Sequence, residues 1–90
     1  MSQAEERRAA IERAKEVMRA YQDSLMAKAN VIGVGVGFVE REGERTRDVG
    51  VVVMVGQKVA LSQLAEVDRI PQELDGVPID VQSVGELGPH

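Results

Sequence analysis

Val31-Ile32-Gly33-Val34-Gly35-Val36-Gly37-Phe38-Val39 is the stretch whose reading decides the fold. Its residues alternate. Successive side chains of a strand point to opposite faces, so Ile32, Val34, Val36 and Phe38 share one face and Val31, Gly33, Gly35, Gly37 and Val39 the other. β-Branched residues favour this geometry. Each glycine inside a strand costs roughly 0.5–1 kcal/mol relative to alanine. Glycines gathered on one face therefore imply that something approaches the backbone closely there. A tightly packed helix is the simplest candidate. On that reading Gly35→Val destabilises by more than about 2 kcal/mol through overpacking; a neutral substitution would mean an open glycine face and reversed layers. The same glycines do not make a phosphate-cradling loop. The dinucleotide fingerprint needs GxGxxG between a strand and a helix, whereas Phe38-Val39 continues the strand and a charged turn follows. GxxxxGK[ST] does not occur in the sequence.

Upstream, residues 2–28 read as one long helix. Ser2 and Glu5 fit a capping box. Ala4, Ile11, Ala14, Met18, Tyr21 and Leu25 recur at three–four spacing, and Ala10 and Val17 widen the stripe. Arg8, Glu12, Lys15, Arg19 and Gln22 form the opposite, solvated side. There Glu5–Arg8, Glu12–Lys15 and Glu16–Arg19 are i,i+3 pairs worth about 0.2–0.5 kcal/mol each. A helix of this length measures about 39 Å, against about 30 Å for the glycine strand, so its first turns overhang the sheet. Asn30 suits a left-handed stop.

Downstream, Glu40-Arg41-Glu42-Gly43-Glu44 is a polar turn, and residues 45–55 form the return strand of a hairpin. Val49, Val51, Val53 and Val55 lie on one face; Gly50, Val52 and Met54 lie on the other. A hairpin with one solvated face alternates apolar with polar, but here both faces are largely apolar. One long helix covers one face. The only other helical candidate, Ser62 to Glu66, is short. This deficit of cover predicts a homo-oligomer. A monomer would need residues 59–74 to wrap the second face with Leu61, Leu64, Val67, Ile70 and Leu74. Pro71 biases Ile70 away from helix, Gln72 to Leu74 reads as a short turn, and Asp75-Gly76 is a turn dipeptide. Residues 77–84 form a third strand with Val77, Ile79 and Val81 facing in, and Pro78 suits an edge. Residues 85–90 read as a loose tail.

The expected fold is one α+β domain over residues 1–90. A long N-terminal helix packs on a three-stranded sheet with a central hairpin, in the order α-β-β-α-β. The pairing of the third strand is not readable. The expected packing or subunit-interface residues are Ile11, Met18, Tyr21, Leu25, Ile32, Val34, Val36, Phe38, Val52 and Met54.

Composition narrows the function. The 90 residues hold no Cys or Trp, one Phe and one Tyr, so the core is aliphatic and a disulfide framework is excluded. A net charge of −4 opposes non-specific nucleic-acid binding. The apolar run near Val49–Val55 is far too short to span a bilayer. No signal-peptide core follows the charged N-terminus, which leaves a cytoplasmic location as the default. His90 is the sole histidine, and a terminal residue after Gly-Pro is poorly held for a triad. No catalytic residue, cofactor or metal ligand set is identified.

Several segments together do resemble a known arrangement. Residues 29–37, the run Val49–Val55, Leu61-Ser62-Gln63-Leu64, Asp68-Arg69-Ile70-Pro71 and Asp75-Gly76-Val77-Pro78-Ile79-Asp80-Val81 are similar to a segment found ahead of the peptidase domain in some bacterial trypsin-like serine peptidases. The resemblance covers residues 29–87. The catalytic Ser and His of that family lie downstream of the segment, so none is carried onto this chain. The resemblance implies an accessory, propeptide-like or assembly module. The expected function is thus a non-enzymatic self-assembling domain, with a module that docks on a peptidase-like partner as the alternative.

Overall fold

The computed structural model describes residues 2–56 and 64–83. Helix α1 spans Gln3–Met26 and is followed by strands β1 (Val31–Arg41), β2 (Glu44–Val55), β3 (Glu73–Leu74) and β4 (Val77–Ser83). The class is α+β. The sheet has four strands rather than three, in the order β1-β2-β4-β3. β1 and β2 are antiparallel, β4 returns parallel to β2, and β3 pairs antiparallel with β4.

Two details of the expected order are corrected. Glu73-Leu74 is not a lone turn but the first arm of a second hairpin, because Asp75 and Gly76 both take positive φ (51° and 82°). That pattern is the type I′ turn, whose twist matches that of its flanking strands. Glu42 (φ 53°) and Gly43 (φ 82°) make the same turn between β1 and β2. The short helical element is a 3-10 turn at Glu66–Asp68; Ser62 and Gln63 lie outside the described residues. So do Val59, Leu61, Val84 and the tail 85–90.

α1 starts at Ser2, whose hydroxyl accepts from the Glu5 amide at 3.2 Å. It ends where the Ala27 amide donates to the Asp23 carbonyl, and Asn30, at φ 73°, turns the chain into β1. Residues 2–9 are exposed, and the first buried position is Ala14. Ala14, Val17 and Leu25 of α1 pack with Val51, Val53, Val55 and Val77 to form the core. Val31, Val34, Val36, Ile79 and Val81 pack around it.

The layers are therefore reversed relative to the first expectation. Val34 stands opposite Val53 and Val36 opposite Val51, and this is the face that α1 covers. Gly33, Gly35 and Gly37 stand opposite Met54, Val52 and Gly50 on the other face. The reason is the hydrophobic effect: burying the valine face removes far more apolar area from water than burying the glycine face. Strict alternation also breaks at both ends of β1. Register shifts fall between Val31 and Gly33 and between Phe38 and Glu40. The first packs Val31 against the core and leaves Ile32 58% exposed.

Long-range bonds fix the helix to the far edge of the sheet. Arg13 Nη2 donates to the Asp75 carbonyl at 2.6 Å, and the Tyr21 hydroxyl donates to the Asp75 carboxylate, 3.2 Å from each oxygen. Lys28 Nζ donates to the Val67 carbonyl at 2.7 Å, and the Ala29 amide to Asp68 Oδ1 at 2.9 Å. Asp68 thus anchors the loop between α1 and β1.

The bond to Asp75, then the negative charge of that carboxylate, then desolvation raise the Tyr21 pKa above its ordinary 10.0. The folded chain favours the neutral phenol. Its contribution to stability is complete below pH 10 and is lost as pH rises through the higher folded value. With one Tyr and no Trp in the chain, phenolate absorbance reports this group alone. The folded protein should titrate with a midpoint above 10.0, and Asp75→Asn should bring it back toward about 10. Equal midpoints in the two proteins would show that the bond does not persist in solution.

Candidate self-association face

The site is the sheet face turned away from α1, where Gly33, Gly35, Gly37, Val52 and Met54 are half-buried. Gly35 and Gly37 form a trough along β1, and the tip of Met54 lies over Gly33. Beside the trough, Val52 and Met54 of β2 form a ridge, in register with Gly35 and Gly33. On β4, Asp80 stands opposite Val52 and Gln82 opposite Met54. Asp80 Oδ2 accepts from the Glu40 amide and from Gln82 Nε2, both at 2.9 Å. One carboxylate thus holds the end of β1 across β2 and orders the polar border of the face.

The glycines differ in what demands them. A Cβ on Gly50 would overlap the Pro78 carbonyl oxygen and come 2.7 Å from Val39 Cγ1. There the fold itself requires glycine. A Cβ on Gly33 would meet Met54 Cε at 2.9 Å, the flexible tip of a side chain. A Cβ on Gly37 would make an ordinary 3.5 Å contact with Val52 Cγ2, and one on Gly35 would have nothing within 4 Å. No packing among the described residues asks for glycine at 35 or 37, and both give up the β-propensity that a valine would supply.

Three of the residues expected to wrap this face in a monomer are placed elsewhere. Ile70 and Leu74 pack on the core beneath α1 instead, and Val67 is 75% exposed. The two sheet edges also differ. β3 is two residues long and follows Pro71, features that blunt an edge; Pro78, expected on an edge strand, lies instead on β4, between β2 and β3. β1 runs for 11 residues with no proline and no lysine, and its charges lie only at Glu40 and Arg41. No strand pairs with its outer side among the described residues.

The residues expected at packing or subunit surfaces fall into separate places. Leu25 is core, and Met18, Tyr21, Val34 and Val36 pack around it. Ile11 is half-buried on α1. Val52 and Met54 form the ridge of the glycine face. Ile32 and Phe38 are exposed near the two ends of the glycine run. Gly35 and Gly37 were not in that set, although the close approach they imply was the signal that could have placed them there. Among the described residues, no group of three or more Asp, Glu or His side chains is positioned to hold a metal ion, and no helix is long and apolar enough to cross a membrane.

Residues 12–84 match the model of a family described as NARROW LEAF 1 N-terminal domain. No curated protein matches the chain at a significant level.

Proposed function

We propose, from the premise that the chain belongs to the NARROW LEAF 1 N-terminal domain family, that it is a non-enzymatic self-association domain whose glycine-bearing sheet face meets a second copy. The observation that carries this reading is Gly35, a glycine that no described contact inside the chain explains. The face is also self-complementary. Trough and ridge lie side by side, on β1 and β2. A two-fold axis running between two such sheets, along the strand direction, sets each ridge into the partner's trough. That is an isologous contact, which closes on itself. Glycine lets the two backbones approach more closely than the usual spacing of about 10 Å between stacked sheets.

Molar mass by light scattering across a dilution series tests the reading. The expected mass is a multiple of 9.8 kDa that falls only at low concentration. A mass of 9.8 kDa at every concentration would sink it.

A second reading is that the glycine face and the long β1 edge receive a different protein, by strand addition or sheet stacking. Two things favour it: the likeness of residues 29–87 to the segment ahead of some bacterial peptidase domains, and the family's description as an N-terminal domain. A monomeric mass combined with specific capture of a peptidase-like protein would move this reading to first place.

A further inference from the structure

Arg7, Arg45 and Arg47 line one cleft of about 470 Å³, together with Phe38 and Thr46. Arg7 comes from α1 and the two others from the hairpin end of β2. Phe38 stands opposite Val49 on the helix side of the sheet, so this cleft is remote from the glycine face. A neighbouring cleft of about 580 Å³ shares Arg7 and Arg47 but adds Arg41, Glu6, Asp48 and Glu73, and its charges balance. The first cleft has no carboxylate.

Arg13 and Arg41 are engaged, whereas Arg8, Arg19 and Arg69 make no ion pair or side-chain hydrogen bond among the described residues. Arg41 pairs with Asp48 at 3.4 Å, and Arg13 donates to Asp75. Arg7, Arg45 and Arg47 make no ion pair or side-chain hydrogen bond among the described residues. The chain is not short of acids to pair them with, since Asp and Glu number 15 against 11 Lys and Arg. Guanidiniums from two elements are thus gathered around one concavity whose lining holds no carboxylate, with Arg7 and Arg47 also bordering the charge-balanced cleft beside it.

The cleft's chemistry specifies its occupant. Guanidinium forks bind carboxylates bidentately. Phe38, 38% exposed, offers an apolar wall in the same concavity and a ring face on which a guanidinium can stack. Glu40, Glu42 and Glu44 on the same hairpin, with the net charge of −4, repel an extended polyanion. We propose that this cleft docks an acidic peptide segment of a protein partner, one in which an Asp or Glu lies next to an apolar side chain. The site does not depend on self-association through the opposite face.

The test is a titration of the ¹⁵N-labelled 90-residue chain with acetyl-Glu-Leu-Glu-amide, followed by nuclear magnetic resonance. The arginine Nε–H signals of Arg7, Arg45 and Arg47 and the amides of Phe38 and Thr46 should shift saturably. The uncharged acetyl-Gln-Leu-Gln-amide should leave them in place. Removing both Arg45 and Arg47 as the double alanine variant should weaken binding at least about tenfold, from the loss of charge-assisted hydrogen bonds. Both side chains are exposed, and an unchanged backbone spectrum would show that the variant is folded. Arg69→Ala, away from the cleft, should bind like the parent. Absence of shifts, equal shifts with the Gln peptide, or undiminished binding by the double variant would each overturn the proposal. Inorganic phosphate saturating the same signals as tightly would also overturn it, by making the cleft a general small-anion site.

Discussion

Gly50→Ala is expected to lower the melting temperature by at least about 12 °C, through a loss of about 3 kcal/mol. The added methyl would overlap the Pro78 carbonyl oxygen and sit 2.7 Å from Val39 Cγ1 and 3.1 Å from Pro78 Cγ. None of these is a long flexible tip that can swing aside. One is backbone, one belongs to a β-branched side chain and one to a proline ring. β4 must therefore draw away from β2, and the bond from the Glu40 amide to Asp80 goes with it. A chain of this size has only about 5–13 kcal/mol of stability in total. Thermal melting followed by circular dichroism reads the result, with Gly37→Ala as the companion. Its methyl makes an ordinary 3.5 Å contact, so that variant should melt within about 4 °C of the parent. A similarly small shift for Gly50→Ala would mean that β4 does not cross β2 as closely as described.

Gly35→Val should have two effects of opposite sign. In the single chain its Cβ has nothing within 4 Å among the described residues, and the substitution relieves the conformational freedom of a strand glycine and gains β-propensity. At dilutions where the chain is monomeric, the melting temperature should hold or rise, with a gain of about 1 kcal/mol. In the assembly it places an isopropyl group in the trough that the partner's ridge must enter. The light-scattering mass should fall to 9.8 kDa at concentrations where the parent is larger. Unchanged association would remove the glycine face from the interface. A loss of more than about 2 kcal/mol in the monomer would restore the idea that another part of the chain packs on this side. Because association stabilises the folded state by mass action, the melts must be compared at matched low concentration.

The α+β class was legible because α1 and the hairpin carry clear periods, three–four along Ala14, Val17, Met18, Tyr21 and Leu25 and two along Val49 to Val55. Periodicity tells which residues share a face. It does not tell which face receives the helix. The answer lay in side-chain volume, since a valine face has more to bury than a glycine face. Glu73-Leu74 is too short to show a period, and its identity as a strand comes from the type I′ turn after it. The parallel pairing of β4 with β2 rests on contacts between distant residues and leaves no local trace. Ile32 left its expected face because one extra residue in β1 shifts the register, and a bulge is invisible to a period-two count. Of the face turned away from α1, the glycines were visible and their neighbours Val52 and Met54 were named. The arginine cleft was not. Nothing local in the sequence links Arg7 with Arg45 and Arg47 until the fold brings helix and hairpin together.

The register of the sheet also divides it kinetically. Along β1 and β2, paired residues are separated by as few as 3 positions (Arg41 and Glu44) and at most 24 (Val31 and Val55). Every β2–β4 pair, from Val51 with Ile79 to Val55 with Ser83, is 28 apart. Closing longer loops costs more chain entropy before any contact repays it. The sheet thus has a local half, zipped outward from the Glu42-Gly43 turn, and a remote half that needs a platform already in place. Gly50 is the seam between them, and its missing methyl group is what lets the late strand settle onto the early one.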